Sequence, residues 1–352
     1  MQEILELPRE TLTTLLTEQF GEPRFRADQI WQWLWQKMAR DFSAMTNVSR
    51  AARERLAEHF TITWPKIVLV QKSSDTTTKF LLELCDGARI ETVLIPSCDH
   101  EGRVRWTQCL SSQVGCPMAC TFCATGQAGF VRNMTMGEIL GQILVARNFV
   151  GDARPDHPII RNLVFMGMGE PLLNCEALIP ALKTLNDPNG LAFSPRRITV
   201  STCGIARGLT ILGESGLAFL AVSLHAPTQT IREKIMPKAA TFPLPSLIQA
   251  LKSYPLKNRE RITFEYLLLR GVNDEVTHAR ELARIVSSVP GKLNLIPYNP
   301  TPDSPYAPPE PERILAFEQE LWKHHITAVV RQSRGQDIDA ACGQLRAAHT
   351  SD

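Results

Sequence analysis

The sequence predicts an α/β protein in which a small helical module precedes a parallel sheet with helices outside it, wound into a complete or partial (βα) barrel. Two observations predict this. From about residue 105 onward, apolar strand-like runs alternate with helix-like runs six or seven times, as parallel strands covered on both faces do. Each strand-like run also ends in a polar or glycine-rich turn, and βα barrels build their sites at the carboxyl ends of their strands.

The elements follow in order. Residues 1 to about 60 read as helical. "PRETLTTLLTEQF" has a leucine stripe, and "RADQIWQWLWQKMARDF" places Ile30, Trp31, Leu34, Trp35 and Met38 on one helix face. From Trp64 the texture changes to strands at "KIVLVQK", "TTTKFLLELCDG" and "ARIETVLIP", with Asp86-Gly87 as a hairpin turn between the last two. This predicts a short antiparallel element leading into the main domain. Beyond it, strands are expected at "WTQCLSS", "IIRNLVFMG", "RRITVST", "LAFLAVSLH", "RITFEYLLL", "KLNLIPY" and "ITAVVRQ". Helices are expected at "TMGEILGQILVARNFV", "NCEALIPALKTLN", "TQTIREKIM", "DEVTHARELARIVSSV" and "PPEPERILAFEQELWKHH". The first of these opens on a capping box, Thr135 with Glu138 three residues later.

Composition narrows the class. With 44% hydrophobic and 21% charged residues over 352 positions, the chain is an ordinary globular protein with a core large enough to dispense with disulfide staples. "MQEILELPRE" carries charges where a signal peptide needs an apolar run, and no stretch offers the 18 or so apolar residues of a membrane span. A cytoplasmic location is therefore expected, where thiols stay reduced and nine cysteines point to metal or redox chemistry. A net charge of +2 neither demands nor excludes nucleic acid.

The loop "SSQVGCPMACTFCATGQAGF" holds Cys116, Cys120 and Cys123 in C-x3-C-x2-C spacing. Thiolates suit zinc or an iron–sulfur cluster, yet both ordinarily take four protein ligands, and no second close pair of Cys or His accompanies these three. A chance group of packed cysteines is the bland alternative. Cys85, Cys98, Cys175 and Cys203 have no spacing partner and are expected to be packing residues.

The spacing, with Phe122 before the last cysteine, resembles the signature of the radical S-adenosylmethionine (SAM) enzymes. In that superfamily three thiolates hold a [4Fe-4S] cluster whose remaining iron is left for SAM. "GMGEP", Gly167 to Pro171, resembles the glycine–glutamate motif that binds the SAM amino group there, which brings Gly169 and Glu170 into the site. Seven segments together, "ETVLIP", "CLSSQVGC", "FCATG", "GMGEPL", "SLHAP", "NLIPYNP" and "RGQDIDAACGQL", are similar to the RlmN family of radical SAM adenosine methyltransferases, with Cfr as its sister group.

This resemblance implies a radical SAM partial (βα)6 TIM-like barrel with a small N-terminal helical domain. It divides the chain into an RNA-binding accessory domain at 1–62, the antiparallel element at 63–104, the barrel at 105–345 and a tail at 346–352. It implies that Ser201, Ser223, Leu224, His225 and Asn299 contact SAM. It implies that Cys342 carries the methyl group as S-methylcysteine, Glu91 accepts a proton, and Cys109 resolves a covalent RNA adduct through a transient disulfide with Cys342. Two SAM molecules per turnover, an external flavodoxin-type electron donor, and no membrane partner are likewise implied, and a monomer is expected. The implied products are 2-methyladenosine at position 2503 of 23S rRNA and position 37 of tRNAs. The rivals are a Cfr-type C8 methyltransferase and a non-catalytic iron–sulfur or zinc RNA-binding redox sensor.

No RRM or KH signature is present. Trp31, Trp33 and Trp35 could stack on bases, but Trp31 and Trp35, one helical turn apart, are read as core. Arg24, Arg26, Lys37, Arg40, Arg132, Arg331, Arg334 and Arg346 are candidate phosphate contacts.

Overall fold

The computed structural model describes residues 1–99, 101–152, 158–301 and 304–347. The N-terminal module opens with β1 (Gln2–Glu3) and continues through α1 (Arg9–Glu18), α2 (Arg24–Trp35) and α3 (Arg50–His59). It ends in β2 (Phe60–Thr61), which pairs in parallel with β1. Trp31 and Trp35 are buried and meet edge to face, as their spacing predicts. The second helix is shorter than its sequence suggests. It stops at Trp35, and the chain leaves through Met38 at φ 52°, with the Ala39 amide donating to the Trp33 carbonyl at 2.9 Å.

The antiparallel element is present as β3 (Lys66–Lys72), β4 (Thr78–Glu83) and β5 (Arg89–Cys98). The expected hairpin joins the last two, with Gly87 at φ 83°. This element is the edge of the main sheet and not a separate unit: β5 pairs antiparallel with β6 (Val104–Cys109), the first barrel strand. A small hairpin follows in the cysteine loop, β7 (Gln113–Gly115) and, after the one-turn α4 (Ala124–Gln127), β8 (Phe130–Asn133). Then come α5 (Met136–Phe149), β9 (Ile160–Phe165), α6 (Cys175–Asn186), β10 (Ile198–Thr202), α7 (Ala206–Ser215) and β11 (Phe219–Ser223). The chain continues through α8 (Gln229–Ile235), α9 (Leu244–Lys252), β12 (Ile262–Leu268), α10 (Val276–Val286), β13 (Gly291–Pro297), α11 (Pro311–Lys323) and β14 (Ala328–Val330).

Ten of the strands form one sheet in the order β14-β13-β12-β11-β10-β9-β6-β5-β4-β3, parallel from β14 to β6 and antiparallel beyond. Among the described residues the hydrogen-bonded sheet does not close, so the architecture is a partial barrel of six βα units and a seventh strand. The capping box at Thr135 and Glu138 is formed. The helix it opens, α5, is buried along most of its length because it lies between the sheet and the N-terminal module: Gly137 faces Glu6 and Gly141 faces Pro65 too closely for a Cβ. One continuous apolar core joins the module to the barrel, and a second, smaller cluster lies under the cysteine loop.

Candidate active site

The cysteine loop hangs from the end of β6 and is pinned by its own backbone. Cys116 N–H donates to the Gly129 carbonyl at 2.8 Å, and Cys123 N–H to the Cys120 carbonyl at 3.1 Å. Gly115 permits this closure, since at φ 75° a Cβ there would lie 2.1 Å from the Gly129 oxygen. The three thiols are half-buried against an apolar cluster containing Met118, Phe122, Cys203 and Met236. Burial pushes Cys116 up to about 12, and pushes Cys120 and Cys123 up as well.

Three neighbouring thiols in apolar surroundings fit an iron–sulfur cluster. Bare thiolates would be costly there, and iron replaces the proton with a cation. Among the described residues, no three Cys, His, Asp or Glu side chains converge on a single ion. A four-iron cluster asks for no such convergence, because each thiolate takes a different iron, whereas a tetrahedral zinc site requires it.

The Gly-Glu turn follows β9. Gly169, at φ 103°, lets the chain approach Gln113, whose Cβ would be 2.6 Å from an added Cβ. Glu170 is buried; its carboxylate accepts from Cys203 N–H at 2.8 Å and Leu172 N–H at 3.0 Å, which ties the turn to β10. Across the strand ends, Ser201 and Ser223 hydroxyls lie 3.4 Å apart. Leu224 packs into the main core, and its peptide N–H and carbonyl are both bonded inside the chain. His225, at φ 52°, accepts from Leu267 N–H through Nδ1 at 3.0 Å and meets Phe122 edge to face. Burial, with Arg232 nearby, pushes its ring down to about 3, so it is neutral. Asn299 donates to the Cys342 carbonyl at 3.2 Å and accepts from Gln336.

The C-terminal segment reaches back over the mouth. Ala124 N–H donates to the Gly343 carbonyl at 2.7 Å, and Thr125 Oγ1 donates to the Leu345 carbonyl. This sets Cys342 over the cysteine loop, within electrostatic reach of Cys109, Cys123 and Glu265. Cys342 retains an exposed surface although protein crowds its sulfur, and that crowding pushes the thiol up; Cys109 is buried and also pushed up. Both thiols are free.

Glu91, on β5, is fully engaged: it pairs with Lys79 Nζ at 3.1 Å and accepts from the amides of Arg346 and Ala347 at 2.9 and 3.2 Å. The thirteen residues implied by the resemblance thus gather at one end of the sheet.

Several expectations are corrected. Arg132 is no free phosphate ligand, because Asp86 and Glu138 both hold its guanidinium. Arg26 is tied up by Glu22, Gln29 and the Asn47 carbonyl. Of the cysteines expected to pack, Cys203 is buried and Cys175 half-buried, but Cys85 and Cys98 are exposed, since they lie at the turn end of β4 and the far end of β5. Sequence reasoning missed Lys79, Arg232 and Glu265. Arg232 had a signal: with Ile235 it forms the buried face of α8, where an apolar residue is expected.

Known proteins resemble this chain over nearly its whole length. The family described as "Ribosomal RNA large subunit methyltransferase N-terminal domain" matches residues 2–62, and the radical SAM superfamily matches 110–283. The chain is 69% identical over 347 residues to a "Dual-specificity RNA methyltransferase RlmN" of Nitratidesulfovibrio vulgaris, covering 99% of this chain and 95% of the relative. It is 55% identical to the protein of that name in Lawsonia intracellularis, covering 100% and 98%. A crystal structure of a radical SAM methyltransferase from Sphaerobacter thermophilus, 40% identical, superposes with a TM-score of 0.90 over 99% of this chain and 100% of that one.

Proposed function

The chain belongs to the RlmN family of radical SAM methyltransferases, and from that membership we propose that it methylates C2 of adenosine 2503 in 23S rRNA and of adenosine 37 in tRNAs. The observation that carries the reading is the C-terminal turn. Cys342 comes from more than 200 residues beyond the cysteine loop and is fastened over it by the Ala124–Gly343 and Thr125–Leu345 hydrogen bonds. A protein that merely stored or sensed with a cluster has no need of a fourth thiol held there.

Adenine C2 is electron-poor and its hydrogen is not acidic, so it cannot attack SAM, whereas a thiolate can. Cys342 takes the methyl group of a first SAM as its own S–C bond forms and the sulfonium bond breaks. Cys116, Cys120 and Cys123 would hold the [4Fe-4S] cluster, which supplies the electron that splits a second SAM to methionine and the 5′-deoxyadenosyl radical. Methylated Cys342 gives up one hydrogen atom to the 5′-deoxyadenosyl radical, which leaves as 5′-deoxyadenosine, and its methylene carbon adds to C2. Glu91 accepts the C2 proton, and Cys109 attacks the Cys342 sulfur. The S–CH2 bond breaks, leaving a disulfide and an exocyclic methylene that a proton converts to the methyl group; the one surplus electron would return to the cluster that gave one up, and external reduction of the disulfide restores both thiols. Gly169, Glu170, Ser201, Ser223, Leu224, His225 and Asn299 shape the SAM pocket, Glu170 and Asn299 by fixing the backbone around it. Residues 1–62 help to grip RNA, residues 63–104 lead into the barrel at 105–345, and an external donor of the flavodoxin type feeds a monomeric, cytoplasmic enzyme.

Anaerobic reconstitution with iron, sulfide, SAM, reductant and an RNA fragment tests this. Digested RNA is expected to contain 2-methyladenosine, with 5′-deoxyadenosine released. An 8-methyladenosine product would assign the chain to Cfr chemistry, and the absence of 5′-deoxyadenosine would defeat both. Cys109→Ala is expected to accumulate RNA covalently attached at Cys342; normal turnover by this variant would remove the resolving role.

A further inference from the structure

Arg232 is fully buried, and among the described residues no carboxylate forms an ion pair with it. Its Nη2 donates to the Cys203 carbonyl at 2.6 Å and its Nη1 to the Leu224 carbonyl at 3.1 Å, while its Nε is buried without a partner. An arginine cannot shed its proton to escape such a setting, so the charge stays and carries a large desolvation cost. Neutral carbonyls offset part of that cost. A full offset requires a negative charge, and among the described residues no carboxylate pairs with the guanidinium to supply one.

The negative charge expected at this place is that of the thiolates. Arg232 lies within electrostatic reach of Cys120 and Cys203, and the helix bearing it is bolted to the cysteine loop. One turn after Arg232, the Ile235 carbonyl accepts from Thr121 N–H at 3.0 Å and from Thr121 Oγ1 at 3.3 Å. Thr121 lies between Cys120 and Cys123. The cation therefore cannot drift from the loop without breaking α8 or the loop itself. Cys203 does not compete for the role of partner, because its thiol is hydrogen-bonded to Glu170.

We propose that Arg232 is the built-in counter-charge of the iron–sulfur cluster, positioned by α8 so that its fixed positive charge raises the cluster's reduction potential. The inference rests on the reading of Cys116, Cys120 and Cys123 as cluster ligands. One-electron reduction makes a thiolate-bound cluster more negative by one charge, and a fixed cation in a poorly screened site favours that state. Arg232 is fully buried and acts through Cys120, so it is a positioning residue.

The test is an anaerobic redox titration of the reconstituted full-length protein without SAM, followed by the paramagnetic signal of the reduced cluster. Arg232→Met is expected to make reduction on the order of tenfold harder, a negative shift of about 59 mV for a one-electron couple, at wild-type iron and sulfide content. Arg232→Lys is expected to restore most of it. Because Arg232→Met removes both hydrogen bonds to carbonyls and can cost the fold, Met236→Glu provides a second route. Met236 Sδ sits 3.9 Å from Arg232 Nη1, so a carboxylate there should neutralise the cation and lower the potential, while Met236→Gln should not. An unmoved potential in Met236→Glu with a full cluster overturns the proposal. So does a shift in Arg232→Lys as large as in Arg232→Met. Wild-type protein that assembles no cluster would instead defeat the reading of the cysteine loop itself.

Discussion

Two buried titratable residues in the barrel respond to pH in opposite directions. His225 is pushed down to about 3 by burial and Arg232, from an ordinary 6.5. The unfolded chain therefore binds a proton below 6.5 that the folded one refuses, so stability falls as pH drops from 6.5 toward 3. Glu265 is the reverse. Burial raises it from 4.5 to about 7, against the pull of its hydrogen bond from Asn294. The folded chain takes up a proton first, so stability rises as pH drops from 7 toward 4.5. Between about 6.5 and 4.5 the two slopes oppose each other. Glu265→Gln removes one of them and is expected to make the loss on acidification steeper than in wild type, by up to ~1.4 kcal/mol per pH unit. Urea midpoints at pH 7.5, 6 and 5 check this, and parallel curves for the two proteins would refute it. At this scale the sequence was readable where chemistry is local. Three cysteines within eight residues announce themselves, and "GMGEP" announces a close backbone approach. Glu91 did not: its partners Lys79, Arg346 and Ala347 come from another strand and from the far end of the chain, and no spacing records such a meeting.

At the scale of elements, strands and long amphipathic helices were legible because their periodicity reports burial directly. The helices α7 and α9 were not. The first carries Gly208 and Gly213, which read as breakers, yet both are required for contact: an added Cβ would lie 2.5 Å from Leu172 Cβ and 2.7 Å from Pro255 Cδ. The second begins within "PLPSL", which reads as a turn. Nor could periodicity tell that the sheet stays open, with β14 and β3 as its two edges. The gap is spanned by the segment that carries Cys342. Asp337 accepts from Ser73 Oγ at 2.5 Å and Ser74 N–H at 3.0 Å, Asp75 accepts from Gly335 N–H at 3.0 Å, and Lys79 Nζ donates to the Asp339 carbonyl at 3.2 Å. Burial raises Asp75, but bonds from Thr77, Gly335 and Ser73 outweigh it and hold the carboxylate at about 2. The latch therefore stays charged at neutral pH. Asp337→Ala is expected to speed amide exchange across 335–345 several-fold while the strands β9 to β12 keep their protection. Unchanged exchange in that segment would show that the Ala124, Thr125 and Asn299 bonds alone hold Cys342 in place.

For the molecule as a whole, the question is how the N-terminal module is fixed on the barrel. One carboxylate does much of this. Asp187, in the turn after α6, accepts from both Arg9 Nη1 contacts at 2.9 and 2.8 Å and from the buried Trp31 indole at 3.0 Å. Gln32 and Gln36 add bonds to Asn189 and the Pro188 carbonyl, and Glu6 accepts from Gly137 N–H at the start of α5. These contacts border an apolar core that runs without a break from the module into the barrel. Such a junction should melt as one unit, so indole fluorescence from Trp31 and Trp35 and backbone circular dichroism from the barrel should report the same transition in the wild type. Asp187→Ala leaves the Trp31 N–H buried without an acceptor and Arg9 with only Asp28, which is half-exposed. After allowance for the solvent that reaches Arg9, the loss is about 2 kcal/mol, and all of it falls on the junction. The variant should then show the fluorescence change at lower denaturant than the dichroism change, with the barrel's own midpoint nearly unmoved. Coincident transitions in Asp187→Ala would mean that the shared apolar core, and not this polar anchor, fixes the module on the barrel.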